Sequence, residues 1–552
     1  KCEFSDCKYS SELQMSTIIC QLLITGAALS YTVKWELTTV TSFDGVVLNA
    51  NVGYPTNLPT IESTVPAIVM PNSWGVPDLE YIAKTLEWAE SGYVVVEYET
   101  RGFYGSGGEI GTAGPADQKD ISAVLDHIVA NAMKWHADGT TFGMAGISYG
   151  AGLSALGAAH DARIKCVASM SGWGNLSTAL NGASTPSLVW GEVLIEAGRA
   201  TGHESPALAK LFSDVVAHRN MSEVRAFVEP RSPEFFKAAL EARHVPVFIS
   251  NNFEDHLFKP DAALEYFQNL NSGISKQLML NQGIHASAEL SGILGLPNMV
   301  LDRAKRWLDH YLKGVANGVE KEPIVSMELR RFGLLVETER VEFTAWPSAN
   351  VTSTALVLSG RGAGHAGALS PAEQARPRVA RSSSNASDVI SFGLASGFSA
   401  GVPILAPALQ VFLDVPILAD LAAVDTKQGA VYLGEPLPRK TRFCGVPNVT
   451  LSVTPDAEAF QIVAYLYFVD ALGIGTLVAH GPTTVWGNGG GSGVPRDVDV
   501  RLRAMCADAP KGTRIGLGID LYDVLYAPAN EYATVLINFD GDRSVIHLPV
   551  NK

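Results

Sequence analysis

The sequence has no stripe of lysine and arginine. Its 41 basic and 56 acidic side chains leave a formal charge of −15, the opposite of the positive field that a phosphate backbone attracts. That argues against a nucleic-acid partner. Cysteines are few (Cys2, Cys7, Cys20, Cys166, Cys444 and Cys506), with no C-x-x-C pair and no metal-ligand spacing. No metal site is expected. Cys166 lies in the apolar run "IKCVASM" and reads as a buried thiol, while Cys444 and Cys506 share the C-terminal half and could pair. Long apolar runs are also missing. The segment "STIICQLLITGAALS" after Met15 is too short to span a bilayer comfortably and ends in small residues as a signal peptide does, though without a basic n-region. Sequons begin at Asn175, Asn220, Asn350, Asn385 and Asn448. Secretion and a cytoplasmic location both stay open, as does a homo-oligomer. No internal repeat is evident.

What is present is a globular chain of 552 residues, 47% apolar and 18% charged, too long for one ordinary core. After an N-terminal segment (1–32), short apolar runs alternate with longer helical stretches from about Trp35 to Leu312. Such alternation implies a mostly parallel sheet flanked by helices, an α/β class. The first two strands, "WELTTVTS" and "VVLNANVGYP", flank Phe43-Asp44-Gly45 and read as an antiparallel hairpin. Residues 175–243 break the rhythm with helices and no strands, the pattern of a cap over an active-site edge. The catalytic domain is therefore expected over 33–174 and 244–318. From 325 to 552, short strand-like runs separated by Gly and Pro turns suggest an all-β sandwich. "ARPRVARSSSNAS" and "GNGGGSGVP" read as exposed loops of that part.

Two G-x-S-x-G pentapeptides occur, centred on Ser148 and Ser399. A chain this rich in glycine yields about 0.4 such matches by chance, so context decides. A nucleophile elbow needs a strand, a sharp turn and a helix, with small residues at −2 and +2. "TFGMAGI" precedes Ser148 and "YGAGLSALGAAH" follows it. After Ser399, Pro403 and Pro407 would interrupt a helix. Ser399 is the decoy.

A serine hydroxyl needs a base to remove its proton and an acid to orient that base. In α/β-hydrolases these follow in the order serine, acid, histidine on loops after later strands. Asp255 follows "VPVFISNN", and His285 follows "KQLMLNQ". Glu254 and His256 are the adjacent rivals. The developing oxyanion is expected to meet the Tyr149 amide and a donor from the loop Pro71-Asn72-Ser73-Trp74-Gly75. "RGFYGSGGEIG" has Ile110 where a dinucleotide fingerprint needs its third glycine, so it reads as a structural turn.

These residues resemble the X-Pro dipeptidyl-peptidase and cocaine esterase-like hydrolases. The resemblance runs from "FDGVVLNANVGYP" through "ETRGFYGSGGE", "GISYGA" and "SGWGNL" to the Asp255 and His285 loops. It continues into "GEPLPRKTRFCGVPNVTLSVTPD" and "KGTRIGLGIDLYDVLY". It implies an α/β-hydrolase domain with a helical cap, followed by a C-terminal jelly-roll domain. Two departures stand out. Members of the family often place a tyrosine in the loop after the third strand, where this chain has Trp74, whose backbone or indole N–H would have to serve. Phe253 occupies the slot where an aromatic before the acid is often tryptophan. The large extra N-terminal domain of the bacterial X-Pro peptidases has no counterpart here, which favours the compact esterase branch.

The expectation is a serine hydrolase that cleaves carboxylic esters through an acyl-enzyme, with no cofactor. Trp173, Trp190, Phe253 and Phe258 are candidates for an apolar pocket under the cap. The alternatives are an X-Pro dipeptidyl-peptidase, acting on short peptides, and an inactive binding protein. The peptidase would need an acidic anchor for a free amine, for which Glu192 and Glu196 are the candidates.

Overall fold

The computed structural model describes residues 31–60, 63–330, 339–361, 364–372, 387–401, 416–487, 492–539 and 543–552. The segment after Met15, most of "ARPRVARSSSNAS" and residues 488–491 of the glycine-rich loop lie outside them.

The first sheet holds ten strands: β1 (Val33–Thr41), β2 (Val47–Pro55), β3 (Val65–Pro71), β4 (Val94–Tyr98), β5 (Ala137–Ile147), β6 (Ile164–Met170), β7 (Val247–Asn252), β8 (Lys276–Asn281), β9 (Val325–Glu328) and β10 (Arg340–Phe343), in the spatial order β1-β2-β4-β3-β5-β6-β7-β8-β9-β10. From β4 to β9 every pairing is parallel, while β1–β2, β2–β4 and β9–β10 are antiparallel. The apolar runs of β3 and of Val94–Val96 in β4 follow from burial on both faces. Val94 and Val96 enter one core with Val69, whereas Val95, Ile68 and Met70 enter the core on the opposite face. Side chains alternate across a strand, so a strand covered on both sides is apolar at consecutive positions, except where a polar side chain is hydrogen-bonded, as Glu97 is by the Tyr81 amide at 3.0 Å.

Strands β9 and β10 correct the expected boundaries. The pattern assigned residues from 325 onward to the all-β part, yet both strands extend the catalytic sheet. Alternating short strands look alike in either setting, and only the pairing partner separates them.

Residues 176–242 fold into helices, including Leu188–Thr201, Pro206–Val216 and Met221–Val228. Among the described residues, fourteen strands between Val351 and Asn551 then form an all-β domain around its own core of Leu451, Ile462, Leu517 and Val535. This domain packs against the cap. The Trp486 indole donates to the Ser184 carbonyl at 2.8 Å, and the Thr185 and Thr484 hydroxyls meet at 2.8 Å. Cys444 and Cys506 are joined as a disulfide, and Cys166 is a buried free thiol.

The glycine-rich 101–111 loop is a turn, as its spacing suggests. Gly102 and Gly108 have φ of 81° and 83°, and the Gly102 amide donates to the Gly107 carbonyl. The Arg101 guanidinium anchors the loop to Asp120 at 2.6 Å and to Asp44, in the β1–β2 turn, at 3.0 Å.

Candidate active site

Ser148 stands between β5 and the helix Tyr149–His160 with φ 56° and ψ −118°. A non-glycine residue there carries about 1–3 kcal/mol of strain that the surroundings must hold. The flanking glycines show how. A Cβ on Gly146 would press on the Gly150 carbonyl, and one on Gly150 would strike the carbonyl oxygen of Pro71. Glycine at −2 and +2 thus lets the elbow close and draws the 71–75 loop against the helix start.

His285 follows β8 and Asp255 follows β7. The structure brings both to Ser148: His285 Nε2 lies 2.8 Å from Ser148 Oγ, and His285 Nδ1 lies 2.8 Å from Asp255 Oδ2. Asp255 is fully buried, and its second oxygen accepts the Leu257 and Phe258 amides at 2.8 and 2.9 Å. Burial lowers the imidazole pKa. The charge and hydrogen bond of Asp255, aided by the charge of Glu289, outweigh it and hold the value above the ordinary one.

The rival residues are engaged elsewhere. Glu254 pairs with Arg330 at 3.0 Å and accepts the Gly283 amide. His256 packs edge-on against His480 with ring centroids 5.3 Å apart. Ser399 lies in an exposed loop of the all-β part, where its hydroxyl accepts the Gly401 amide.

The Tyr149 amide opens the helix, and neither it nor the Trp74 amide is used by a backbone hydrogen bond among the described residues. The Trp74 indole is different: its N–H donates to the Leu194 carbonyl of the cap at 2.8 Å, so it is committed. A network behind the loop fixes the Trp74 backbone. Ser73 donates through its amide and its hydroxyl to Glu80, both at 2.7 Å, and its hydroxyl lies 3.1 Å from the Ile147 carbonyl. Burial pushes the Glu80 carboxyl up to about 7, against the pull of its hydrogen bonds from Ser73.

Sequence reasoning missed Glu80 and also Glu289. The latter is fully buried four residues after His285 and accepts from Ser250 and Ser171 at 2.8 and 3.0 Å. It ties the ends of β6 and β7 to the histidine loop. In "GIHASAELSG" nothing distinguishes it from a surface glutamate.

An apolar cavity of about 100 Å³ opens beside Ser148. Trp173 and Phe258 line it, together with cap residues such as Leu180, Leu194 and Phe227. Two expectations fail here. Phe253 is packed into the hydrophobic core and does not line the cavity. Trp190 sits outside the lining, with its ring edge-on to His285 at 5.8 Å. Glu192 and Glu196 are exposed on the cap, and Glu196 pairs with Arg199 at 2.6 Å.

Sheet, cap and all-β domain together put the chain in the serine hydrolase class. Residues 44–287 match the X-Pro dipeptidyl-peptidase (S15 family), and residues 317–534 match the X-Pro dipeptidyl-peptidase C-terminal non-catalytic domain. Both domains of the chain thus match the X-Pro dipeptidyl-peptidase family of serine hydrolases, to which it belongs. Among solved structures, a CocE/NonD family hydrolase from Staphylococcus aureus shares 14% identity with a TM-score of 0.69, over 94% of this chain and 93% of that one. An alpha-amino acid ester hydrolase shares 17% with a TM-score of 0.70, over 95% and 98%. An aminopeptidase from a marine sediment archaeon, Thaumarchaeota archaeon, shares 14% with a TM-score of 0.67, over 95% and 97%. Identities this low speak to fold alone. Comparison with curated protein sequences returns no match. Among the described residues no helix is long and apolar enough to cross a membrane.

Proposed function

We propose that the protein hydrolyses carboxylic esters with a compact apolar acyl group, through an acyl-enzyme on Ser148. The observation that carries this reading is the chemistry of the cavity. Its lining is apolar apart from hydroxyls and the Asn181 amide, and among the described residues no charged side chain contributes to it. A free ammonium moved there from water would lose its hydration with no carboxylate in return. An apolar acyl chain gains from the same desolvation. The X-Pro peptidase reading lacks its anchor, since Glu192 and Glu196 face solvent.

In the proposed reaction His285 Nε2 accepts the Ser148 proton as Oγ attacks the ester carbonyl. Asp255 keeps the other imidazole proton on Nδ1 and stabilises the cation that forms. The Tyr149 and Trp74 amides receive the oxyanion, each contributing about 3 kcal/mol on the usual scale for such donors. His285 then protonates the leaving alkoxide. Water, deprotonated by the same imidazole, attacks the acyl-enzyme and releases the acid.

A fluorophosphonate probe tests the nucleophile: labelling of the wild type is expected, and none of Ser148→Ala. Equal labelling of both would remove the assignment. Short-chain nitrophenyl esters are expected to turn over while Gly-Pro-nitroanilide does not. The reverse ranking would overturn the ester reading in favour of the peptidase.

A further inference from the structure

A second cavity, of about 180 Å³, lies where the catalytic domain, the cap and the all-β domain meet. Its lining includes Thr178 of the cap, Lys259, Asp261 and Glu265 after the acid loop, and His480, Arg501 and Arg503 of the all-β domain. Phe258 faces the apolar cavity beside Ser148, and Lys259, next in the chain, faces this one.

The charges around it do not balance. Arg501 is met by Asp261 at 3.3 Å and Glu265 at 3.6 Å. Lys259 is 7% exposed, yet among the described residues its ammonium finds no hydrogen-bond acceptor and no ion-pair partner. The Tyr526 ring lies 5.9 Å from it. Arg503 is 4% exposed, its Nε has no partner among the described residues, and one Nη makes a long 3.4 Å bond to the Tyr526 hydroxyl. Three cations against two carboxylates, Asp261 and Glu265, leave one positive charge over at the cavity. Asp261 acts on the Lys259 ammonium without pairing with it, and such surplus buried charge is costly, because lost hydration is returned only by an anion or by well-placed acceptors. No imidazole at this junction adds to the charge: burial, with Arg503 nearby, pushes His480 and His256 well below the ordinary histidine range.

We propose that this cavity binds a small oxyanion, a carboxylate or a phosphate, held between Lys259 and Arg503. The anion offsets the surplus positive charge, and guanidinium and ammonium are the groups that take such ligands through charged hydrogen bonds. Burial pushes the Lys259 ammonium down to about 8, with Arg503 adding to the effect and Asp261 opposing it, so an anion also favours its charged form. The site joins the acid loop to the all-β domain. It gives that domain a ligand-dependent hold on the segment that carries Asp255.

Calorimetric titration and thermal denaturation of the full chain with inorganic phosphate at pH 7, against chloride at equal ionic strength, test the proposal. Saturable binding with a rise in Tm is expected for the wild type and at least a tenfold weaker affinity for Lys259→Met and for Arg503→Met. Removing an uncompensated buried charge is compatible with folding, and the melting transition of each variant verifies it. Displacement of phosphate from Ser148→Ala by acetate and by a monoalkyl succinate distinguishes the source of the ligand. A clear preference for the half-ester assigns the site to a carboxylate on the substrate, and equal displacement assigns it to a free oxyanion. Absence of saturable phosphate binding to the wild type, or binding by both methionine variants as tight as by the wild type, overturns the proposal. These readouts do not depend on turnover, so they stand apart from the ester assignment.

Discussion

Asp255→Asn tests the proposed triad more sharply than removal of the side chain. Asp255 Oδ1 accepts the Leu257 and Phe258 amides at 2.8 and 2.9 Å, while Oδ2 accepts from His285 Nδ1. An asparagine must keep its oxygen toward the two amides, because the flipped amide would set its NH2 against both and forfeit two buried hydrogen bonds, about 1–3 kcal/mol each. The NH2 therefore faces His285 Nδ1 and forces that nitrogen to accept. The ring proton moves to Nε2, 2.8 Å from Ser148 Oγ, where a base is needed and a donor now stands. With the geometry intact and the tautomer wrong, kcat is expected to fall about 10⁴-fold, a loss of about 5.5 kcal/mol in transition-state stabilisation. Turnover of a nitrophenyl ester near pH 7.5 measures it, with Glu254→Gln as the neighbouring control and a melting curve to confirm folding. Retention of more than a tenth of wild-type kcat by the folded Asp255→Asn variant would refute the reasoning, as would an equal loss in the Glu254→Gln control.

Three further outcomes are expected. The imidazole must be neutral to act as base, and Asp255 and Glu289 hold its pKa up against burial. The acid limb of kcat/KM is therefore expected above pH 6.5, which a pH–rate profile checks. Gly150→Ala would push Pro71 and the oxyanion loop away from the helix start. It is expected to cost about 1–3 kcal/mol in unfolding free energy and to lower kcat more than KM changes, as denaturant melts and steady-state kinetics would show. Burial raises the carboxyls of Glu80 to about 7, Glu97 to about 8, Asp117 to about 7 and Asp520 to about 7. The unfolded chain releases these protons first, so the stability they contribute is complete below about pH 4 and declines as pH rises through 7 to 8. Tm is expected to be higher at pH 5.5 than at pH 8.

The sheet was legible because a strand buried on both faces is apolar at most consecutive positions, and runs such as the valines of "YVVVEYE" fit that setting. The elbow was legible for a related reason: strand, Ser148, helix and flanking glycines record one steric demand in consecutive residues. Features set by distant partners were not. The helix Leu188–Thr201 lies within the segment expected to be helical, though Gly191 and Gly198 weaken its local signal. Yet a Cβ on Gly191 would collide with the Phe212 ring, and one on Gly198 would crowd Trp74. The same glycines that weaken the signal let the cap settle over the cavity. Strands β9 and β10 were misplaced because period-2 alternation does not name the sheet a strand joins. Glu80 and Glu289 gave no signal, since a buried glutamate is defined by the groups that surround it.

The segment from Asn252 to Lys259 explains why the serine and its partners were more readable than the substrate preference. Within eight residues its backbone amides hold Asp255, the Phe258 side chain walls the apolar cavity, and Lys259 reaches the second one. The orienting role depends on main-chain N–H groups, which persist whatever the side chains are. The two cavities depend on side chains at 258 and 259 together with residues from the cap and the all-β domain. If the two cavities hold substrate as proposed, substitution at those positions shifts preference without disturbing how the carboxylate is held. This division lets one arrangement of serine, histidine and aspartate be combined with differently lined pockets, and it places the determinants of specificity in contacts between segments far apart in the chain.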